Sequence, residues 1–464
     1  MRVLLINTNR IKPPIAPLAI DYLGAAVRAA GHEVSLLDLC WEADADAAVA
    51  RAFAAGGLDL AALTFRNTDD CYFASKACFL PVLAADVARV RRHFDGPIVV
   101  GGGGFTLMPV PLLERTGATY GVRGEGEEAL PALLRALRGD APFSKVPGLV
   151  YREGGAWVLN PPGQADLAAL PLAARGLLDN RRYFEKGGQA GLETKRGCPG
   201  ACVYCADPLI KGHRVRVRPP AQVVDEVRNL LAQGADVFHL CDSEFNLPAR
   251  HATAVCRAIA DAGLGDRIRW YTYASPVPLS PELAALMRQA GCAGINFGVD
   301  SGSDRMLRSL GRPYDAADIL DTARACREAG LAIMFDLLLG GPGETWATVA
   351  ETLEMVRRAA PEVAGVSLGV RVYPGTTLEL RLRRASALPG DPAGAEPVFY
   401  VAPELGADPY AALRERIGGD PRFLLPSGGD DRDYNYNDNT VLQRAIDAGA
   451  RGAYWDILRR LRNN

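Results

Sequence analysis

The sequence predicts an α/β protein: an N-terminal doubly wound, Rossmann-like (flavodoxin-like) domain, then a partial (β/α)6 barrel, then a small, mostly helical C-terminal region. Three observations carry this. Short apolar runs alternate with amphipathic stretches through residues 1–140, the alternation resumes for six units over 191–385, and a Gly- and Pro-rich stretch at 141–190 separates the two. At 464 residues the chain is long enough for two or three domains.

In the first segment the apolar runs 3–6, 34–37, 60–65, 98–100 and 120–122 have the length and branching of buried strands. Helical patterns over 18–30, 45–55, 82–94 and 127–137 lie between them, which implies parallel strands joined by right-handed crossovers. Such sheets bind ligands beyond the C-terminal ends of their strands, so the loops 7–14, 66–70, 101–105 and 123–126 are the informative ones. Residues 141–190 read as a linker with one hairpin. In the barrel segment the expected strands are 191–195, 237–241, 268–273, 294–299, 332–339 and 365–372. The tail, 386–464, opens with a Pro/Gly/Ala stretch, carries a polar run over 430–439 and ends in an expected helix over 441–461.

Charge narrows the choice of partner. With 52 basic and 54 acidic residues the net charge is −2, so nothing favours nucleic acid or an anionic membrane, and a small-molecule or peptide substrate fits better. No run reaches the ~18 apolar residues of a membrane span. The opening MRVLLINTNR reads as a buried strand, since no small-residue cleavage site follows, and the expected location is the cytoplasm. In that reducing compartment ten cysteines do not make a disulfide framework, and a cluster of thiols points to metal or catalysis.

Three of the ten are clustered. Cys198-Pro-Gly-Ala-Cys202-Val-Tyr-Cys205 follows a strand, and Pro199 and Gly200 hold the segment in a loop so that the sulfurs can converge. Three thiolates leave the fourth iron of a cubane open to a small molecule, whereas structural zinc needs a fourth close ligand, and the nearest, His213, lies eight residues on.

With this spacing and Tyr204 before the third cysteine, residues 190–385 resemble the radical S-adenosylmethionine (SAM) superfamily. The resemblance implies a four-iron four-sulfur cluster on Cys198, Cys202 and Cys205, and an external low-potential electron donor of the flavodoxin or ferredoxin kind. It also implies a SAM site drawn from Tyr204, Asp242, Glu244, Asp300, Ser301, Gly340 and Gly341. Asp300 stands where many relatives have Glu, which shortens the reach to the ribose. All these segments fall at C-terminal strand ends, the ligand face of a barrel. Taken singly, an acidic residue after a strand is also an ordinary helix cap and Gly-Pro-Gly an ordinary turn. His239 and Cys241, at the second strand's end, are expected to be neutral core residues.

The first domain resembles the cobalamin-binding domain that precedes many such barrels. The resemblance rests on the Pro13-Pro14 loop, the run Gly101-Gly102-Gly103-Gly104 and Arg123-Gly-Glu-Gly126. It implies cobalamin contacts from Asn7, Thr8, Pro14, Arg66, Asn67, Gly101 to Gly104, Phe105, Glu125 and Gly126. The loop after the first strand lacks the Asp-x-His-x-x-Gly motif of His-ligated relatives, so no protein His is expected on cobalt, and Arg66 is the residue expected nearest its lower face. Together the two resemblances imply a cobalamin-dependent radical SAM C-methyltransferase, working through a 5′-deoxyadenosyl radical and methylcobalamin. The alternatives are a cobalamin-dependent cyclisation, rearrangement or oxidation without methyl transfer, and a non-catalytic iron–sulfur or cobalamin-sensing module.

Overall fold

The computed structural model describes residues 1–171, 175–394, 396–426 and 435–462. The first sheet holds β1 (Arg2–Asn7), β2 (Glu33–Asp38), β3 (Leu60–Thr64), β4 (Ile98–Gly101), β5 (Tyr120–Val122), β6 (Leu149–Glu153) and β7 (Ala156–Leu159) in the order β2-β1-β3-β4-β5-β6-β7. The first five pair in parallel in the order expected of a flavodoxin-like domain. Val3, Leu4, Leu5 and Ile6 are all buried, as a central strand covered on both faces requires. The hairpin expected in the linker is β6–β7, and it joins this sheet antiparallel to β5 rather than standing apart.

The chain then forms β8 (Ala190–Leu192), a small hairpin of β9 (Lys195–Arg196) and β10 (Arg216–Val217), and the barrel strands β11 (Val237–Leu240), β12 (Arg269–Ala274), β13 (Cys292–Asp300), β14 (Ala332–Leu339) and β15 (Val363–Leu368). A second hairpin, β16 (Val370–Arg371) with β17 (Phe399–Tyr400), precedes β18 (Phe423–Leu424). The second sheet runs β18-β15-β14-β13-β12-β11-β8, parallel throughout, so the tail adds a seventh strand to the six expected.

The expected helix over 441–461 is two helices, Thr440–Asp447 and Tyr454–Arg462. Gly449 at φ +101° and Gly452 at φ +141° break it, because those backbone angles suit Gly alone. The second helix closes the lower end of the barrel. Trp455 occupies the place a side chain at Gly294 would need, and Tyr271 donates to Asp456 at 2.8 Å. Of the tail's aromatics, Tyr454 and Trp455 are buried core residues, as aromatics at helical spacing commonly are, Tyr436 is half-buried with its ring 5.7 Å from that of Tyr454, and Tyr434 lies outside the described residues.

A buried ion network joins the two sheets. Arg175, 1% exposed, donates to Asp21 at 2.9 Å, to Glu226 at 2.5 Å and to Asn180 at 3.1 Å. Those partners lie on the first domain's opening helix, on a barrel helix and in the segment between them. Arg371 and Asp69 make a second buried bridge at 2.9 Å. Both sheets therefore turn their C-terminal edges toward each other.

Candidate functional site

Between those edges lies a cavity of about 370 Å³. The first domain lines it with Arg66, Asn67, Gly103 and Gly104, and the barrel with Tyr204, Cys205, Arg371 and Tyr373. This is the crevice that strand topology alone selects.

The cysteine loop hangs from β8. Asp242, 1% exposed, accepts from the Thr194 N–H at 2.8 Å, the Thr194 hydroxyl at 2.5 Å and the Lys195 N–H at 3.2 Å. His251 Nε2 lies 3.2 Å from the Thr194 carbonyl and hydroxyl and braces the same turn. Asp242, expected to meet SAM, is thus occupied in fixing the strand end that carries the thiols. A side-chain carbon on Gly200 would touch Cys198 Sγ at 3.3 Å and Cys202 Sγ at 3.6 Å, so these sulfurs flank one point, while Cys205 faces the cavity. Burial raises all three thiols, Cys202 to about 11 and Cys205 to about 12, so they need a metal's positive charge to be thiolates at neutral pH. Among the described residues no three His, Cys, Asp or Glu side chains close around a single ion, and His213 is exposed. Three thiols on one loop, with no three or more ligands closed tightly around an ion among the described residues, fit a cubane with an open iron better than a preformed zinc site.

Beside the thiols stands an acidic and basic cluster. Tyr204 Oη donates to Asp300 at 2.7 Å, and Arg312 donates to Asp300 at 2.5 Å and to Tyr204 Oη at 2.6 Å. Asp300 sits at φ +63°, where the β13–β14 register shifts, a conformation uncommon outside Gly and typical of residues held for a function. Glu244 lies 3.9 Å from Arg312, and burial pushes its pKa up to about 7. A side chain at Gly298 would meet Arg312 at 3.3 Å and Glu244 at 3.9 Å, so the absence of one keeps this wall open. Gly340, at φ +90°, donates to Glu344 at 3.4 Å, and Gly341 is packed against Leu310. Ser301 is turned away, its hydroxyl 2.9 Å from that of Thr352.

Arg312 escaped sequence reasoning. It follows a helix-ending Gly, and a single Arg in a Gly-Arg-Pro turn carries no periodic or motif signal. Lys195, 2% exposed, escaped as well; burial lowers its pKa, against the raising effect of Asp242, Cys198 and Glu244.

The expected cobalamin residues divide in two. Arg66 and Asn67 are exposed into the cavity and Gly103 and Gly104 line it. Side chains at Gly102 and Gly104 would fall 2.6 Å from the Phe65 carbonyl and 2.9 Å from the Phe65 ring, so only glycines let the loops after β3 and β4 close up and leave a flat edge. Gly101 is half-buried beneath them. The remainder are turned to structural work. Asn7, fully buried, donates to Asp38 at 2.8 Å and Tyr183 at 3.0 Å; Thr8 donates to the Thr64 carbonyl at 2.5 Å. Pro14 is packed on Gly187, and Phe105 is a core ring over Gly121. Glu125 is ion-paired to Arg216, and Gly126 is covered by Leu23.

Cys241 is also corrected. It is exposed to the barrel interior, not core, because Gly191 opposite it leaves space; burial in the barrel raises its thiol, against a lowering by Arg66. His239 is neutral as expected, held at about 4 by burial and then by Arg66.

Comparison with known proteins agrees with these two halves. Residues 192–356 match the Radical SAM superfamily, and residues 4–134 match the B12 binding domain. The chain is 30% identical to tryptophan 2-C-methyltransferase of Streptomyces laurentii over 98% of its own length and 95% of the relative's. It is 25% identical to hopanoid C-3 methylase of Methylococcus capsulatus over 78% of this chain and 68% of that one. The radical SAM methyltransferase TsrM of Kitasatospora setae, solved with tryptophan and the SAM analogue aza-SAM, superposes with a TM-score of 0.92 at 31% identity, covering 100% of this chain and 98% of that one. The same enzyme solved with cobalamin and a [4Fe–4S] cluster superposes at 0.90. A three-thiol loop at the strand ends of one α/β domain, set against a glycine-edged crevice in another, is what full-length likeness to these enzymes requires, and the chain belongs to the B12-binding radical SAM family.

Proposed function

We propose that the protein is a cobalamin-dependent C-methyltransferase that moves a methyl group from SAM to carbon on a small molecule, an indole-bearing amine such as tryptophan. The observation that carries this is the shared cavity: Arg66, Asn67, Gly103 and Gly104 from one domain and Tyr204 and Cys205 from the other line the same space. Likeness to tryptophan 2-C-methyltransferase along nearly the whole chain supports the substrate class. When bound, cobalamin supplies a carbon-carrying metal and the cluster with SAM supplies the methyl source and one-electron chemistry.

The chain's own residues bind, orient and exclude water. Cys198, Cys202 and Cys205 would hold the cluster. Asp242 fixes their loop, and Arg312 fixes the Tyr204–Asp300 pair at its rim. Glu244 and Asp300 would face the SAM amine and ribose, and the Gly340–Gly341 turn its adenine. Arg66 and Asn67, with the Gly101 to Gly104 edge, would receive the corrin. Arg66 has no lone pair to give to a metal, so it would cover a face without ligating it. Tyr72 and Phe73 come from the first domain, Phe73 packing on Gly369 at the barrel mouth, and with the helix Tyr454–Arg462 below they close the barrel at both ends.

Anaerobic, reconstituted protein supplied with methyl-labelled SAM and tryptophan tests the reading. Label should reach the cobalamin fraction without acceptor and a carbon of tryptophan with it. Cleavage of SAM with a product of unchanged methyl count would favour cyclisation or oxidation instead.

A further inference from the structure

Among the described residues, the barrel interior holds buried polar atoms without a hydrogen-bond partner. On β13 the side chains of Ile295, Phe297 and Val299 enter the core beneath the helices, so Gly294, Asn296 and Gly298 alternate to the barrel lumen. Trp455 fills the space at Gly294, and Glu244 and Arg312 border Gly298. Asn296 stands between the plug and the acidic rim.

Asn296 is 7% exposed, and its Oδ1 is buried without a hydrogen-bond partner among the described residues. Its register partner across the ladder is Tyr273, and the Asn296 side chain lies within hydrogen-bonding reach of the Tyr273 hydroxyl. Tyr273 is 42% exposed although it stands in mid-barrel, which means that the space beside its ring is open. His239 meets that ring edge-on, with centroids 5.1 Å apart and planes at 84°, and His239 Nδ1 is likewise buried and unpartnered. An orphaned amide oxygen in a protein interior costs ~1–3 kcal/mol unless something donates to it.

We propose that Asn296 is a specificity-determining residue, its Oδ1 accepting the ring N–H of an aromatic heterocycle that lies against Tyr273 between Trp455 and Gly298. The assignment rests on the indole-type substrate proposed above and adds the atom that recognises it. A ligand of that kind satisfies the amide oxygen, fills the void beside Tyr273 and brings its ring edge toward Gly298, the open part of the wall next to Glu244.

The test uses holoenzyme reconstituted with iron, sulfide and cobalamin, titrated calorimetrically with tryptophan and with 1-methyltryptophan, which lacks the ring N–H. Wild type should prefer tryptophan by about tenfold or more, the loss expected when a buried acceptor goes unmet. Asn296→Leu should abolish the preference, and Asn296→Asp, which keeps acceptor oxygens, should retain it. Iron content and bound cobalamin verify the fold of each variant. Preference surviving in Asn296→Leu, equal binding of both probes by wild type, or binding of neither overturns the assignment. Label transfer from SAM to cobalamin in wild type needs no tryptophan. If it proceeds while these binding results fail, Asn296 is misassigned and methyl transfer stands; if it is absent, the functional reading itself falls.

Discussion

Asp242 separates two accounts of the same geometry, a ligand to SAM or an anchor for the cysteine loop. In the structure it accepts three hydrogen bonds, two from backbone N–H groups and one from the Thr194 hydroxyl, at 1% exposure. Asp242→Ala leaves all three donors without an acceptor. At ~1–3 kcal/mol for each buried, unmet group, the loss is roughly 3–9 kcal/mol, a large part of the 5–15 kcal/mol that holds a typical domain. Asp242→Asn keeps one oxygen for the two N–H groups and should cost about 1–2 kcal/mol. The assay is urea unfolding of the apoprotein, followed by iron content after reconstitution. The midpoint should fall in the order wild type, Asn, Ala, and the Ala variant should hold less iron because the strand end that presents Cys198 is loosened. An Ala variant with wild-type stability and iron content but weakened SAM binding would refute the anchoring role.

Other outcomes are expected. Replacing Cys198, Cys202 and Cys205 together by Ala should remove iron and sulfide after reconstitution, while Cys241→Ala should keep both, read by iron and sulfide analysis. Glu344 is fully buried and burial lifts its pKa from 4.5 to about 7. The folded state then binds its proton more readily than the unfolded state, so its contribution is complete below pH 4.5 and is lost as pH rises through 7. Glu344→Gln should therefore be more stable than wild type at pH 8, by up to ~3 kcal/mol, and should flatten the urea midpoint between pH 5 and 8. Arg175→Met leaves the buried carboxylate of Asp21 without its cation, while Glu226 keeps Arg218, and should cost about 3–5 kcal/mol in the same unfolding assay. With Arg66 as the residue expected nearest the lower face and no His in the first loop, the cob(II)alamin form should give a paramagnetic resonance spectrum without axial nitrogen splitting, and Arg66→Ala should change that spectrum.

The sequence by itself determined the alternation of strands and helices, both domain types and the three thiols, since these depend on local periodicity and on spacing within one loop. Strand bounds in the first sheet agree within two residues for the same reason: a strand covered on both faces is apolar along its whole length. Tertiary structure decided what each polar residue does. Asn7, Glu125, Asp242 and Ser301 look alike in sequence, each polar and each after a strand, yet their partners Tyr183, Arg216, Thr194 and Thr352 lie 48 or more residues away. Nothing local could show that they were already engaged. Arg312 and Asn296 were invisible for the opposite reason. A lone Arg in a turn and a lone Asn in an apolar strand acquire meaning only when the chain brings Asp300 and Tyr204 to the first and leaves the second without a donor among the described residues. The helix over 441–461 failed on two glycines at positive φ, after which the second helix packs Trp455 into the barrel floor, a contact across more than 150 residues that hydrophobic periodicity cannot register.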